Sequence, residues 1–131
     1  MRIALMTLVV ADYDDAIDFY VHGLGFTLTE DTDMGGGKRW VVVTPSGGGG
    51  AGLLLAQASG AAQVASVGHQ TGGRVMGFLH TDDFARDHAR MTAAGVTFLE
   101  APRTEPYGVV VVFQDLYGNR WDLIEPPAPA Q

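Results

Sequence analysis

Hydrophobic and polar residues alternate most clearly near the end of the sequence, over positions 107–125. Two runs rich in Val, Ile, Phe and Trp flank the polar segment Gln114–Asn119, whose Gly-Asn pair tolerates positive φ. This pattern predicts a β-hairpin. On its second strand, Trp121 and Leu123 point to one side of the sheet and Asp122 to the other. Because an unpaired charge is costly to bury, we expect the face with Asp122 to meet solvent or a polar cavity.

The first half of the sequence alternates between strand-like and helix-like patterns. Leu5–Val10 is a β-prone run, and Asp12 follows it as a residue suited to cap a helix. After Asp12, apolar residues cluster along one helical side while acidic residues face water. The segment Asp33–Lys38 is predicted to form a glycine-rich turn. The predicted elements are a strand, a helix and three further strands, at positions 5–10, 14–20, 26–29, 39–44 and 53–55.

A shift of 70 positions brings the second half of the sequence onto the first without a gap. The shift places Asp12 on Asp82 and Gly25 on Gly95. Asp82 is therefore the predicted cap of a second helix. The segment Pro102–Pro106 is predicted to form the turn before the final hairpin.

The two copies predict an α+β fold made of two βαβββ modules. A chain of 131 residues is expected to form one domain. The first module covers residues 1–57, a small, polar and glycine-rich linker covers 58–73, and the second module covers 74–131. Each module carries its helix on one face of its sheet. The other faces are then free to curl towards each other, as a curved mixed sheet around a cup.

Composition excludes several classes of function. The sequence has no Cys, which removes thiolate metal sites and thiolate nucleophiles. Its net charge is −7 and its eight Lys and Arg residues are scattered, so we expect no nucleic-acid partner. The apolar start of the chain is too short for a membrane helix, so we expect no membrane partner and a cytoplasmic protein.

Three groups of motifs cover nearly the whole chain. They are Asp12-x-x-x-Ala16-x-x-Phe19-Tyr20 with Leu24-Gly25-Phe26, Gly95-Val96-x-Phe98 with Pro102, and Tyr107-Gly108…Phe113-x-Asp115-x-x-Gly118-Asn119…Leu123-x-Glu125. Together they resemble the vicinal oxygen chelate superfamily, which includes glyoxalase I, bleomycin-resistance proteins, fosfomycin-resistance proteins and extradiol dioxygenases. The resemblance implies paired βαβββ modules, a cup between them and a homodimer. Open sheet edges, which need cover, also favour a homodimer.

The resemblance also defines where a metal would bind. Metalloenzymes of this superfamily place His, Gln or Glu ligands on the first and last strands of each module. Here those positions carry Leu5 or Met6, Gly52 or Leu54, Val75 or Met76, and Asp122. One carboxylate is too few, because catalytic divalent metals take about three protein ligands. We therefore expect no cofactor, and the sequence disfavours a divalent metal.

The leading hypothesis is a binding protein for a small, partly aromatic or cationic organic molecule. Pockets combine apolar walls with a few polar groups that orient the ligand. By strand parity, Trp121 is expected on the helix side, while Trp40 and Phe113 are expected on the ligand side. The expected ligand contacts are Trp40, Arg74, Met76, Phe78, Tyr107, Phe113 and Asp122.

Two alternatives stay open at this level. The first is an enzyme, either a metal-free acid–base catalyst using His80 and Asp122 or a metal-dependent lyase, isomerase or dioxygenase-like protein with ligands such as His69 or His80. The second is a module that associates with other chains through its sheet edges. The structural alternatives are that Asp122 forms an ion pair with Arg74 or Arg120, and that His80 bonds to backbone.

Overall fold

The computed structural model describes residues 1–129, and the chain divides into two compact units, Met1–Gln70 and a second unit that begins at Thr71. Each unit is a mixed β-sheet with a helix in contact with it, so the predicted α+β fold is confirmed. The predicted linker is not uniformly irregular, since a short helix, Ala61–Ser66, lies within it. No helix among residues 1–129 is long and apolar enough to cross a membrane.

The first unit is a four-stranded sheet. Its strands are β1 (Leu5–Val10), β2 (Thr27–Gly35), β3 (Lys38–Thr44) and β4 (Gly52–Gln57), in the order β1-β4-β3-β2. Strand β1 is parallel to β4, and the other pairs are antiparallel. The helices are α1 (Tyr13–Asp18), which continues as a π-helical turn over Phe19–Gly23, and α2 (Ala61–Ser66).

Two local predictions for this unit can be compared with its structure. The cap prediction is confirmed, because the Asp12 side chain accepts a hydrogen bond from the Asp15 N–H at 2.8 Å. The glycine-rich turn is shorter than predicted. Strand β2 continues to Gly35 and β3 begins at Lys38, so only two residues turn the chain, both glycines with positive φ.

The free edge of β1 is covered by a side chain from the end of the unit. The Gln70 Nε2 donates to the Val9 carbonyl at 2.6 Å, and the Gln70 Oε1 accepts from the Val9 N–H at 3.1 Å. One side-chain amide thereby makes both of the hydrogen bonds that a neighbouring strand would make at Val9.

The second unit repeats the arrangement with one strand divided in two. Its elements are β5 (Val75–His80), α3 (Phe84–Ala93), β6 (Thr97–Phe98), β7 (Arg103–Glu105), β8 (Gly108–Gln114) and β9 (Arg120–Glu125), with the sheet order β5-β9-β8-β6 and β7 paired to β8. Two predictions are wrong here. The cap of α3 is Asp83, whose side chain accepts from the Arg86 N–H, and not Asp82. The segment Pro102–Pro106 is not only a turn, since β7 lies within it.

The repeat is also less regular than a gapless shift of 70 positions. In the first unit Leu5 pairs with Gly52, and in the second unit Phe78 pairs with Asp122. Gly52 and Asp122 are related by the shift of 70 positions, but the shift places Leu5 on Val75 and not on Phe78, the residue that pairs with Asp122. The pairing of β5 with β9 skips Met76, where a bulge shifts the register.

Packing on the helix side of the second sheet is centred on two aromatic rings. Phe113 and Trp121 are register partners on β8 and β9, with exposures of 0% and 5%. Phe113 also contacts Phe98, whose ring lies 4.4 Å from that of His88 on α3. Gly77 admits the indole, because a Cβ there would lie 2.3 Å from Trp121. This side of the sheet is therefore the one that α3 covers.

Candidate ligand-binding site

Asp122 lies on the opposite side of the second sheet, in its central strand β9. Its register partners are Phe78 on β5 and Val112 on β8. We call this side, which carries Phe78, Arg103, Val112 and Asp122, the open face. The Asp122 side chain is nine-tenths buried, with 7% exposure of the residue, and its Oδ1 has no hydrogen-bond partner within the described part of the chain. A buried carboxyl oxygen without a partner is unusual and costs stability.

The surroundings of Asp122 shift its protonation. Burial is the largest influence and raises the pKa of the Asp122 carboxyl. The Arg103 guanidinium lowers this pKa, and the Glu100 carboxylate raises it. The net direction is upward, so the carboxyl takes up a proton at a higher pH than an exposed Asp does.

Glu100 occupies the place where the strand beside β8 is interrupted. The Leu99 N–H donates to the Val112 carbonyl at 2.9 Å, as in regular pairing. The Val112 N–H then donates to the Glu100 Oε2 at 3.0 Å, so a side-chain carboxylate takes the bond that a strand carbonyl would accept. Pro102, which has no N–H, lies in the interruption. The break therefore places a carboxylate beside the residue that pairs with Asp122.

The same location in the first unit is built differently. Val42 is the counterpart of Val112 under the shift of 70, and it pairs with Glu30 inside the continuous strand β2. The Thr29 hydroxyl donates to the Val42 carbonyl at 3.2 Å. The Glu100 arrangement is thus a feature of the second unit and not a general property of the repeat.

Arg103 is held at the rim of the open face by hydrogen bonds to three residues. Its Nε donates to both Glu100 oxygens at 3.2 and 3.1 Å, and its Nη1 donates to the Glu105 Oε1 at 2.7 Å and the Tyr107 hydroxyl at 3.1 Å. Its Nη2 forms no hydrogen bond to any residue between 1 and 129. Two aromatic rings remain available, with Phe78 62% and Tyr107 51% exposed.

The strand faces predicted for Phe78 and His80 can be compared with the structure, whereas their contact with a ligand stays a prediction. Phe78 pairs with Asp122 and His80 pairs with Ile124, so both lie on the strand face predicted for them. No hydrogen bond or ion pair joins His80 to Asp122 in the described residues, so an acid–base pair is not assembled. The predicted ion pair of Asp122 with Arg74 or Arg120 is likewise not formed within residues 1–129.

The predicted position of Phe113 is wrong. Residues that stand opposite each other on antiparallel strands share a face, and Phe113 stands opposite Trp121. Phe113 therefore belongs to the buried helix side and does not line the open face. Met76 is half-buried and lies in the bulge of β5.

Sequence reasoning missed Glu100 and Arg103. The available signal was the Glu-x-x-Arg spacing around Ala101-Pro102, between two β-prone runs. A proline there indicates a break in a strand, and a break leaves backbone groups for side chains to satisfy.

Trp40 lies in the first unit, where it lines a separate cavity of about 550 Å³ with Tyr13, Arg39 and Gln57 among its walls. Arg39 is neutralised there by Asp31 at 2.7 Å and Asp14 at 2.9 Å, and its guanidinium lies 5.1 Å from the centroid of the Tyr13 ring. The expectation that Trp40 and Asp122 contact one ligand stays a prediction.

The residues at the superfamily's metal positions do not fit a divalent ion. Leu5 stands beside Gly52 in the first unit, and Phe78 stands beside Asp122 in the second. Only Asp122 supplies a ligand atom. Across residues 1–129, no group of three or more His, Asp or Glu side chains is arranged to hold a metal ion, and this includes His69 and His80.

Comparison with known proteins adds independent information. A family model described as the glyoxalase/bleomycin resistance protein/dioxygenase superfamily matches residues 2–123. An uncharacterized protein of Shewanella frigidimarina (strain NCIMB 400) is 54% identical over 121 residues, which is 92% of this chain and 90% of that protein.

Two solved structures are similar over almost their full length. The crystal structure of UcmS2 is 28% identical, with a TM-score of 0.82, and the match covers 95% of this chain and 98% of that one. The structure of TnmS3, an antibiotic binding protein from Streptomyces sp. CB03234, is 30% identical, with a TM-score of 0.76 and 97% of each chain covered.

Proposed function

Because this chain belongs to the glyoxalase/bleomycin resistance protein/dioxygenase superfamily, we propose that it is a binding protein that holds a small aromatic organic molecule without a metal. The open face of the second sheet is the proposed site. The similarity to TnmS3, an antibiotic binding protein, supports the binding of a small organic molecule.

The observation that carries this proposal is the partner-free Oδ1 of Asp122. Folding has desolvated this oxygen without giving it a donor, and such a group costs about 1–3 kcal/mol of stability. A ligand N–H or O–H would satisfy it. The exposed ring of Phe78, next to Asp122 across the strand pair, supplies an apolar surface for an aromatic ligand.

Charge favours a cationic ligand. Three carboxyl groups, those of Asp122, Glu100 and Glu105, stand against the one guanidinium of Arg103. A flat organic cation would face a carboxylate while stacking on an aromatic ring, and cation–π contacts contribute about 0.5–2 kcal/mol. Neutral molecules of the same shape would keep the stacking on the ring and lose the attraction between the cation and the carboxylate.

Two probes of matched shape test this directly. N-methylacridinium is a permanent cation, whereas acridine is neutral at pH 8. We expect N-methylacridinium to bind more tightly in a fluorescence titration. Asp122→Asn should abolish this preference and leave acridine binding in place, whereas Asp18→Asn, on exposed α1, makes the same charge change and should leave it intact. Equal affinities of wild-type protein and the Asp122→Asn variant for both probes would contradict the proposal.

We also propose that the protein is a homodimer. Strands β2 and β5 are terminal strands of their own sheets, and apolar side chains such as Ile3 (67% exposed) and Met6 (57% exposed) lie on the surface of the first unit. Exposed edges and apolar patches are usually covered. Sedimentation equilibrium at micromolar concentration tests this, and a monomeric mass would overturn it.

A further inference from the structure

We propose that Arg103 and Asp122 act together as a donor and acceptor pair, selecting a flat ligand whose ring bears a hydrogen-bond donor next to a carbonyl. This inference rests on the proposed function and specifies the ligand class of the same site. It depends on unused hydrogen-bonding capacity on both residues.

The acceptor half is the Oδ1 of Asp122. The Asp122 side chain projects from the open face beside Val112, only 7% of the residue is exposed, and the Oδ1 is buried without a hydrogen-bond partner in the described residues. Strand β9 is central in its sheet, so the backbone at Asp122 is fixed by β5 on one side and β8 on the other. A ligand donor would therefore meet an acceptor whose position is already set.

The donor half is the Nη2 of Arg103. The other polar nitrogens of this guanidinium bond Glu100, Glu105 and Tyr107, which fixes its plane. The Arg103 side chain is 38% exposed, so the remaining N–H groups are open to a ligand. A guanidinium held in one orientation loses little entropy when it forms one more hydrogen bond.

The two halves are near each other without being joined. The Glu100 Oε2 accepts from the Arg103 Nε at 3.1 Å and from the Val112 N–H at 3.0 Å, and Val112 stands opposite Asp122 on the neighbouring strand. No salt bridge of 4.0 Å or less links Arg103 to Asp122 in the described chain. The bonds of Arg103 to Glu100, Glu105 and Tyr107 explain why it does not close onto Asp122. A ligand placed between the two residues could accept a hydrogen bond from the Arg103 Nη2 through a carbonyl oxygen and donate one to the Asp122 Oδ1.

Three small probes separate the two halves. The probe 2-aminoacetophenone carries an amine donor next to a carbonyl acceptor, acetophenone retains only the carbonyl, and aniline retains only the amine and is neutral at pH 8. Affinities are measured by titration followed in ¹H–¹⁵N NMR spectra. The variants are Asp122→Val, which removes the acceptor, and Arg103→Met, which removes the donor. Arg90→Met, on helix α3, is the matched control for loss of a guanidinium.

We expect 2-aminoacetophenone to bind the wild-type protein best, with shifts at Val112 and Phe78. Arg103→Met should weaken 2-aminoacetophenone and acetophenone by about fivefold each and leave aniline unchanged. Asp122→Val should weaken 2-aminoacetophenone and aniline and leave acetophenone unchanged. The control variant should behave as the wild-type protein.

The outcomes distinguish this inference from the proposed function. If Asp122→Val weakens binding and Arg103→Met does not, the pair is refuted and the Asp122 site stands. If N-methylacridinium binds through Asp122 but 2-aminoacetophenone gains nothing over aniline, the pair is also refuted. Arg103→Met could also disturb the packing around residue 103 and shift many resonances. In that case Arg103→Lys, which keeps the charge but lacks the planar guanidinium and its Nη2, must still weaken acetophenone for the inference to hold.

Discussion

Phe113 and Trp121 stand opposite each other on β8 and β9, with ring centroids 6.3 Å apart and planes inclined by 5°. This pair fixes the orientation of the strand that carries the candidate site. Because Trp121 packs on the helix side, the next residue, Asp122, must project from the other side. The aromatic core and the partner-free carboxyl are thus consequences of one strand register.

The first prediction concerns the stability that the buried Asp122 carboxyl costs the folded protein. Asp122→Val removes a buried carboxyl without a partner and places a β-branched residue in a strand, so we expect it to stabilise the protein by about 1–3 kcal/mol near neutral pH. Thermal unfolding of both proteins measures this.

The pH dependence of this difference has a definite sign. The pKa of Asp122 is raised in the folded state, so the folded protein binds more protons than the unfolded chain between the unfolded value, 3.8, and the raised one. Wild-type stability therefore falls, relative to Asp122→Val, as the pH rises from the unfolded value through the raised pKa. Below about pH 3.8, where the carboxyl is protonated in both states, the difference no longer changes with pH. A constant difference across this range would show that Asp122 is not desolvated.

The second prediction concerns ligand affinity and pH. N-methylacridinium carries a charge at every pH, so its affinity should rise by about fivefold as Asp122 ionises. Asp122→Asn should flatten the profile. His80 lies on the open face beside Ile124, so His80→Gln serves as the control that removes any contribution of the imidazole. A rise that disappears in His80→Gln instead would assign the effect to the imidazole.

The third prediction concerns Gly77. A methyl group at this position would lie 2.3 to 2.9 Å from three atoms of the Trp121 ring, so Gly77→Ala should destabilise the protein by about 1–3 kcal/mol or more. Gly50→Ala meets no atom within 4 Å and is the matched control. Urea unfolding separates the two, and equal midpoints would mean that the indole repacks without cost.

The fourth prediction concerns metal content. Only Asp122 among the superfamily's metal positions supplies a ligand atom. Protein purified without chelator should contain substoichiometric Zn, Ni, Mn and Fe by elemental analysis. Stoichiometric metal that is lost on Asp122→Ala would contradict both this expectation and the proposed binding role.

The fifth prediction concerns Gln70. Its amide makes two hydrogen bonds to Val9, so Gln70→Ala should accelerate amide exchange at Val9 and lower stability by about 1–2 kcal/mol. Gln63→Ala, on exposed α2, loses only a local bond to Ser59 and should leave exchange at Val9 unchanged. Unaltered exchange in Gln70→Ala would show that the edge is protected by other means.

The sequence was sufficient for the features that depend on local periodicity. The alternation around Trp121 and Asp122 gave the right sides for both residues, and the repeated pattern gave two βαβββ units. Strand parity succeeds because successive side chains point to opposite faces of a sheet. Capping was predicted correctly at Asp12 and missed by one residue at the second helix, whose cap is Asp83 and not Asp82.

Features that depend on the pairing of separate strands could not be predicted from the sequence. Phe113 was assigned to the wrong side because its side is set by its partner across the hairpin and not by the repeat. The bulge at Met76 and the contact of Glu100 with Val112 depend on how separate segments align. No periodicity within either segment encodes that alignment.

The hydrogen bonds of Gln70 have a further consequence for the architecture. Gln70 is the last residue of the first unit, and its side chain is hydrogen-bonded to Val9 in the first strand. The segment between Val9 and Gln70 is therefore a loop closed by one side-chain amide. The stretch after β4 is then an integral part of the first unit, and the chain passes to the second unit only after Gln70. A break in the backbone between residues 58 and 69 would leave its two new ends tethered to the same strand.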